Sequence, residues 1–373
     1  MFTIPLSYQS PLKGDNIGVV FGSFAPLHQG HLDMIFRAKK ENDGGCMVIV
    51  CGNAGDKGGN DMPLRLRYQY VREFFKDDDL VAVYAIDDGV LGFEDYAFEN
   101  WNAWIREFID ILQSNVNGVI PHITWYVGEK EYYHDLVSLG YDCRLLDRSE
   151  NPISATLIRE NPLKYWNKIA LPFRRVFSHN ILIVGTASEG KSILTMDLAK
   201  YFSTSYAHEW PRDYMEKYAL ADWDLNSEHF IEFLAGQHRH IRMQIESPEN
   251  SGVFFCDSSA VTTDMYASHY SMNPECALDW NNYIAHIEPL ADHLISMYRW
   301  DKIFVLPPHG KFVDDHSRYM HDASMEERIK LYTVMKNKLQ SNPRLQNKIV
   351  ILNGGYNENF EAIKAYVKGL YNE

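Results

Sequence analysis

Two stretches of this chain follow one local order: a short β-branched run, a glycine-bearing loop, then helix-like periodicity. They span residues 16–40 and 180–202. A strand that feeds a helix through such a loop opens a doubly wound α/β sheet, with the free amides of the helix start at the sheet's carboxyl edge. Two openings call for two sheets, and 373 residues at about 150 per domain have room for both. In the first half, strands are expected near residues 46–51, 80–86, 122–127 and 142–146, with helices near 63–75, 96–113 and 131–139. In the second, strands near 206, 253–256, 302–306 and 348–352 alternate with helices near 228–245, 261–270, 276–292, 325–339 and 358–370. The expected class is α/β, two doubly wound parallel-sheet domains over residues 1–178 and 179–373, the first Rossmann-like, joined by a short linker near Ser178.

Charge narrows the function. Thirty-six Lys and Arg against fifty Asp and Glu leave −14, a field that repels a polyanionic duplex, so nucleic acid is not an expected partner. The five cysteines (Cys46, Cys51, Cys143, Cys256, Cys276) form no CxxC pair, which argues against a disulfide framework or a zinc ribbon. No stretch approaches 18 consecutive apolar residues and no export signal is visible, so a cytoplasmic protein without a membrane span is expected.

The first opening reads FGSFAPLHQGH. It sets Gly22, Phe24, His28, Gly30 and His31 on the turn into a helix expected from Leu32, where main-chain amides and imidazoles can meet phosphate oxygens. Further on, Ile153, Ser154, Thr156, Ile158 and Arg159 spell ISxTxIR, in which Ser154 can cap a helix, Thr156 offers a hydroxyl and Arg159 can clamp phosphate. The two strings match the long HxGH and second signatures of nucleotidylyltransferases, and the KMSKS lysine loop of class I aminoacyl-tRNA synthetases is absent. Adenylyl transfer needs alignment and charge neutralisation rather than a nucleophilic side chain, and these groups suit it. Arg65 and Arg67 of MPLRLR are further phosphate candidates. Trp101 and Trp104 are either a platform for a cationic ring, Trp101 foremost, or core packing.

The second opening, GTASEGKS, is a complete GxxxxGKS phosphate loop between strand and helix. Gly185, Ser188 and Gly190 would wrap phosphates, Lys191 would reach the β- and γ-phosphates, and Ser192 would ligate Mg²⁺ with Asp257 at the end of GVFFC. HEWPRDY offers Glu209, Arg212, Asp213 and Tyr214 near a phosphoryl acceptor, with Glu209 or Asp213 as base. Glu216, Asp222 and Asp224 read as solvated charges. A polar loop over residues 309–319 suits a lid, with Arg318 as transition-state cation and Asp315 beside it.

Together the two constellations resemble the NadR family of nicotinamide mononucleotide adenylyltransferase/ribosylnicotinamide kinases. The likeness is carried by FGSFAPLHQGH, PLRLR, WNAW, ISATLIRENPLKYW, GTASEGKS, HEWPRDY, CDSSAVTTDMY and FVDDHSR, which extend over nearly the whole chain. It implies a nucleotidylyltransferase followed by a P-loop kinase. Nicotinamide riboside would be phosphorylated with ATP, and the mononucleotide would then be joined to AMP from a second ATP to give NAD and pyrophosphate. ATP and Mg²⁺ are the implied cofactors, and coupling to a nicotinamide riboside transporter and a homo-oligomeric state are further expectations. Three features depart from the pattern. About fifteen residues precede the first strand, too few for the helix-turn-helix repressor domain of some members. Ser259 replaces the second carboxylate of an Asp-x-Asp pair, and Glu189 adds a negative charge that weakens ATP binding unless it points to solvent. These two keep a second reading open, in which one domain binds ATP or NAD as a sensor or transporter partner with little turnover. A third reading, adenylyl transfer to pantetheine phosphate, fits the first two strings but not the fused phosphate loop or the tryptophan segment.

Overall fold

The structure, a computed structural model, describes residues 12–52, 61–87, 105, 121–146, 152–309 and 324–371. The chain divides into two compact units, Met1–Phe177 and Ser178–Glu373.

In the first unit, β1 (Asn16–Gly22), β2 (Cys46–Gly52), β3 (Val81–Asp87), β4 (His122–Val127) and β5 (Asp142–Leu145) form one parallel sheet in the order β3-β2-β1-β4-β5. Helices cover both of its faces, so the central strands are apolar runs rather than alternating ones, and every residue of β2 is buried. Val20, Val48 and Val83 face one core layer, whereas Val19, Met47 and Ala82 face the other. Helix α1 (Gln29–Glu41) follows β1, and α2 (Leu64–Phe74) packs on β3. Helices α3 (Lys130–Ser138), α4 (Ala155–Glu160) and α5 (Leu171–Phe177) complete the described part. Helix α1 begins three residues before the expected Leu32, with His28 as its N-cap. Of the helix expected over residues 96–113, only Ile105, helical and buried, is described.

The second unit is a parallel sheet in the order β10-β9-β6-β8-β7, built from β6 (His179–Gly185), β7 (Tyr206–Ala207), β8 (Val253–Asp257), β9 (Lys302–Leu306) and β10 (Ile349–Ile351). Helices α6 (Lys191–Phe202), α7 (Trp210–Tyr218), α8 (Ser227–Ile245) and α9 (Ala260–Ser271) follow in turn. Left-handed residues, Ser203 and Ala219, close α6 and α7. The helix expected over residues 276–292 starts only at Trp280 and is not α-helical throughout. A short turn, Trp280–Asn282, capped by the Asp279 side chain, passes through a π-turn, Tyr283–Ile287, into α10 (Glu288–Met297). Pro289 is the cause, because it has no amide to donate and its ring crowds the preceding turn. Helices α11 (Met325–Ser341), capped by Ser324, and α12 (Tyr356–Leu370) finish the unit. The centre of this sheet, where β6 lies between β9 and β8, is the reversal point of strand order at which doubly wound sheets bind ligands.

Candidate active sites

In the first unit the loop between β1 and α1 is fixed from behind. Phe24 is fully buried at φ 46°, with its ring edge-on to His31 at 4.9 Å, so this residue can meet a ligand only through its main chain. The His28 and His31 rings stack at 3.7 Å, which places both imidazoles on one side of the helix start. Gly22 ends β1 and lies against the Phe24 ring. Gly30 is closely packed, since a Cβ there would sit 3.3 Å from both the His28 ring and the Ile153 methyl. That contact brings the 153–159 segment to the histidines. Arg159 donates from Nη1 to the Ala25 carbonyl at 2.5 Å and from Nη2 to the Thr156 hydroxyl at 3.1 Å. Ser154 caps α4, accepting from the Leu157 amide at 3.2 Å.

The two arginines of MPLRLR separate. Arg65 is exposed on the first turn of α2. Arg67 is fully buried, with its guanidinium donating to the carbonyls of Met62 and Cys51 at 2.8 and 2.9 Å and to that of Ser23. It holds the histidine loop to the end of β2 and leaves no surface for a ligand. Trp101 and Trp104 lie outside the described residues.

In the second unit Gly185 ends β6, Ser188 and Gly190 adopt left-handed backbone at φ 66° and 75°, and α6 starts at Lys191. Lys191 is buried and donates to the Thr186 carbonyl at 2.8 Å. Asp257 ends β8, beside β6, and is 1% exposed. Burial pushes its carboxyl up, Lys191 beside it pulls the other way, and Glu209 adds to the rise. The Ser192 hydroxyl is at its side, yet neither Asp257 oxygen has a well-formed hydrogen-bond partner among the described residues. Ser258, next in the chain, is left-handed at φ 78°, a strained backbone of the kind that gathers at functional sites.

The HEWPRDY segment divides in two directions. Glu209 is buried, joins the group around Asp257 and accepts from Arg212 Nε at 2.7 Å. Asp213 is exposed and engages His208 Nε2 at 2.6 Å. Tyr214 packs its ring on Trp210 and Phe233, both at 5.5 Å, in the core layer. Gln237 of α8, absent from the sequence reading, seats this loop by accepting from the Trp210 amide at 2.8 Å and donating to the His208 carbonyl at 3.1 Å. Gly236 beside it lets the Trp210 ring approach, since a Cβ there would fall 2.2 Å from that ring. Next to Glu209 opens a small cleft, walled by Phe230, Phe233, Tyr266 and Tyr270 and lined by Ser258, Thr262 and Asp222. Asp222 is thus 7% exposed rather than solvated, because the short 3-10 turn Asp222–Asp224 tucks it inward.

Glu189 does not point to solvent. Its side chain is enclosed and paired with Arg328 of α11 and with His309. Arg318 and Asp315 lie outside the described residues.

Comparison with known proteins finds a match for each unit. A cytidylyltransferase-like family matches residues 19–161, and an AAA domain family matches residues 180–359. The chain is 27% identical over 323 residues to the trifunctional NAD biosynthesis/regulator protein NadR of Salmonella typhimurium strain LT2, covering 84% of this chain and 74% of that protein. For the protein of the same name from Escherichia coli K12 the identity is 26% over 349 residues, covering 90% and 79%. A crystal structure of a NadR protein in complex with NR superposes with a TM-score of 0.81 at 31% identity, over 96% of this chain and 97% of that one. A second, of a NadR protein with NAD and AMP-PNP, gives 0.79 at 30% identity, over 96% and 97%. With two parallel sheets, a histidine loop on one, a phosphate loop on the other and likeness along nearly its full length, the chain belongs to the NadR family of NAD-biosynthesis proteins, nucleotidyltransferase and kinase in one polypeptide.

Proposed function

We propose that the second unit phosphorylates nicotinamide riboside with ATP and that the first joins the mononucleotide to AMP from a second ATP, yielding NAD and pyrophosphate. The observation that carries the reading is the meeting of Lys191, Ser192, Asp257 and Glu209 beside an aromatic-walled cleft. In this assignment residues 179–373 are the kinase. Glu209 takes the proton of the riboside hydroxyl as that oxygen attacks the γ-phosphorus, and Lys191 and Arg212 offset charge on the transferred group. The aromatic walls hold the nicotinamide ring, and Asp222 is placed to accept from ribose hydroxyls. Two buried Asp257 oxygens with no well-formed partner and the adjacent Ser192 hydroxyl fit a Mg²⁺ ion brought in with the nucleotide, which would neutralise phosphate charge.

Residues 1–178 are the adenylyltransferase. His28, His31 and Arg159 neutralise the ATP phosphates as a phosphate oxygen of the mononucleotide attacks the α-phosphorus. Thr156, the amides at the start of α1 and the exposed Arg65 line the path of the same groups. Both reactions suit a chain whose described residues contain no helix long and apolar enough to cross a membrane. The test supplies purified protein with riboside and MgATP and resolves mononucleotide, NAD, ADP and pyrophosphate. NAD is expected from riboside and from mononucleotide alike, and its absence from both would end the proposal.

A further inference from the structure

One side chain of the phosphate loop has no part in the reaction just proposed. Glu189 lies between Ser188 and Gly190, where a carboxylate would face phosphates, yet its side chain is wholly enclosed. Its Oε1 meets the Arg328 guanidinium in the first turn of α11 and lies 3.4 Å from the Thr186 hydroxyl. Its Oε2 accepts from the His309 amide at 3.2 Å and is 3.0 Å from that ring's Nδ1. Arg328 is itself only 2% exposed. Two segments more than a hundred residues down the chain, at His309 and Arg328, therefore converge with the loop's own Thr186 on one carboxylate. The loop lysine joins the same set, because Lys191 donates to the carbonyl of Thr186.

Burying two charges costs about as much as their attraction returns, and apolar side chains of similar volume serve as well or better. Stability alone therefore does not account for the pair. What the pair does supply is position, plus a cation at contact distance that cancels the added negative charge beside the phosphates. Resting on the kinase reading of this unit, we propose that Glu189 is a positioning residue for ATP. By gathering Arg328, His309 and Thr186 it holds the phosphate loop in its binding shape before the nucleotide arrives. Preorganisation of this kind lowers the cost of binding rather than of chemistry, so its loss falls on KM for ATP and spares kcat.

The test uses the full chain with Glu189→Gln, Glu189→Asp and the double change Glu189→Ala with Arg328→Met, following riboside phosphorylation over a range of ATP concentrations alongside thermal melts. Glu189→Gln and the double variant are expected to raise KM for ATP about tenfold with kcat within about twofold, and Glu189→Asp to recover part of the loss. The double variant, which removes both charges, is expected to melt near the wild type. A wild-type KM in Glu189→Gln or in the double variant, with a wild-type melt, overturns the inference and leaves the pair a purely structural one, as does a fall confined to kcat. If the double variant does not fold, Glu189→Gln is judged by the same measure. Lys191→Ala is the control: continued phosphorylation in it would refute the kinase reading rather than the role of Glu189.

Discussion

The loop after β1 offers stacked imidazoles and main-chain amides, whereas the loop after β6 offers a buried lysine among three buried carboxylates, Glu189, Glu209 and Asp257. The first is held by shape: Phe24 fills the core beneath it, Gly30 admits Ile153, and Arg67 and Arg159 fasten carbonyls behind it. The second is held by charge, because each buried carboxylate has a cation against or near it. The difference teaches that the two proposed phosphate sites can respond to opposite kinds of damage. Changes of volume should disturb the first, and changes of charge the second.

The largest expected break in that comparison is Lys191→Ala, which should cut riboside phosphorylation by about a thousandfold while adenylyl transfer to mononucleotide continues. Chromatography of products from each substrate reads both, and loss of both in a folded protein would mean that the sites are not independent. His28→Ala should do the converse, lowering pyrophosphate release from mononucleotide and ATP by about a hundredfold with phosphorylation intact. Within the second site, Glu209→Gln should lower kcat for phosphorylation by about a hundredfold, and Asp213→Asn by less than about threefold. The reverse order in single-turnover rates would move the base to Asp213.

The smallest effect concerns pH. Burial, then the neighbouring His208, pushes the His240 imidazole down to about 4 from its ordinary 6.5, while Asp213 pulls it up. Between those values the unfolded chain binds a proton that the folded chain refuses. This contribution is therefore whole above 6.5 and is lost as pH falls toward 4. His240→Gln should flatten the decline of melting temperature across that window, and an unchanged slope in melts at pH 4.5 and 7 would show that His240 does not carry it.

Much of this architecture could be read from the sequence because buried parallel strands are apolar runs and both candidate loops are written in consecutive residues. The order FGSFAPLHQGH to α1 and GTASEGKS to α6 needed only local rules. What escaped is made by contacts between distant segments, for which no period exists: Arg67 reaching Ser23 and Cys51, Gln237 seating the loop that carries Glu209, and Arg328 meeting Glu189. Asp222 was misread because alternation in a short 3-10 turn does not tell inside from outside, and the π-turn because Pro289 acts on the residues before it. Asp213 and Tyr214 share a helix turn with Arg212 but leave it in other directions, which spacing alone does not resolve.

Among the described residues, five that are not glycine hold a left-handed backbone. Ser203 and Ala219 end helices, where glycine is the commonest occupant and would be accepted. Phe24, Ser188 and Ser258 are different, since each stands next to a group assigned here to phosphate or metal chemistry. A β-branched residue at any of the three would strain the backbone further, and glycine would loosen it. In a map of tolerated substitutions, these positions should therefore stand out as local minima beside both sites, so that the chemistry of the molecule could be located from mutational tolerance alone, before any ligand is tried.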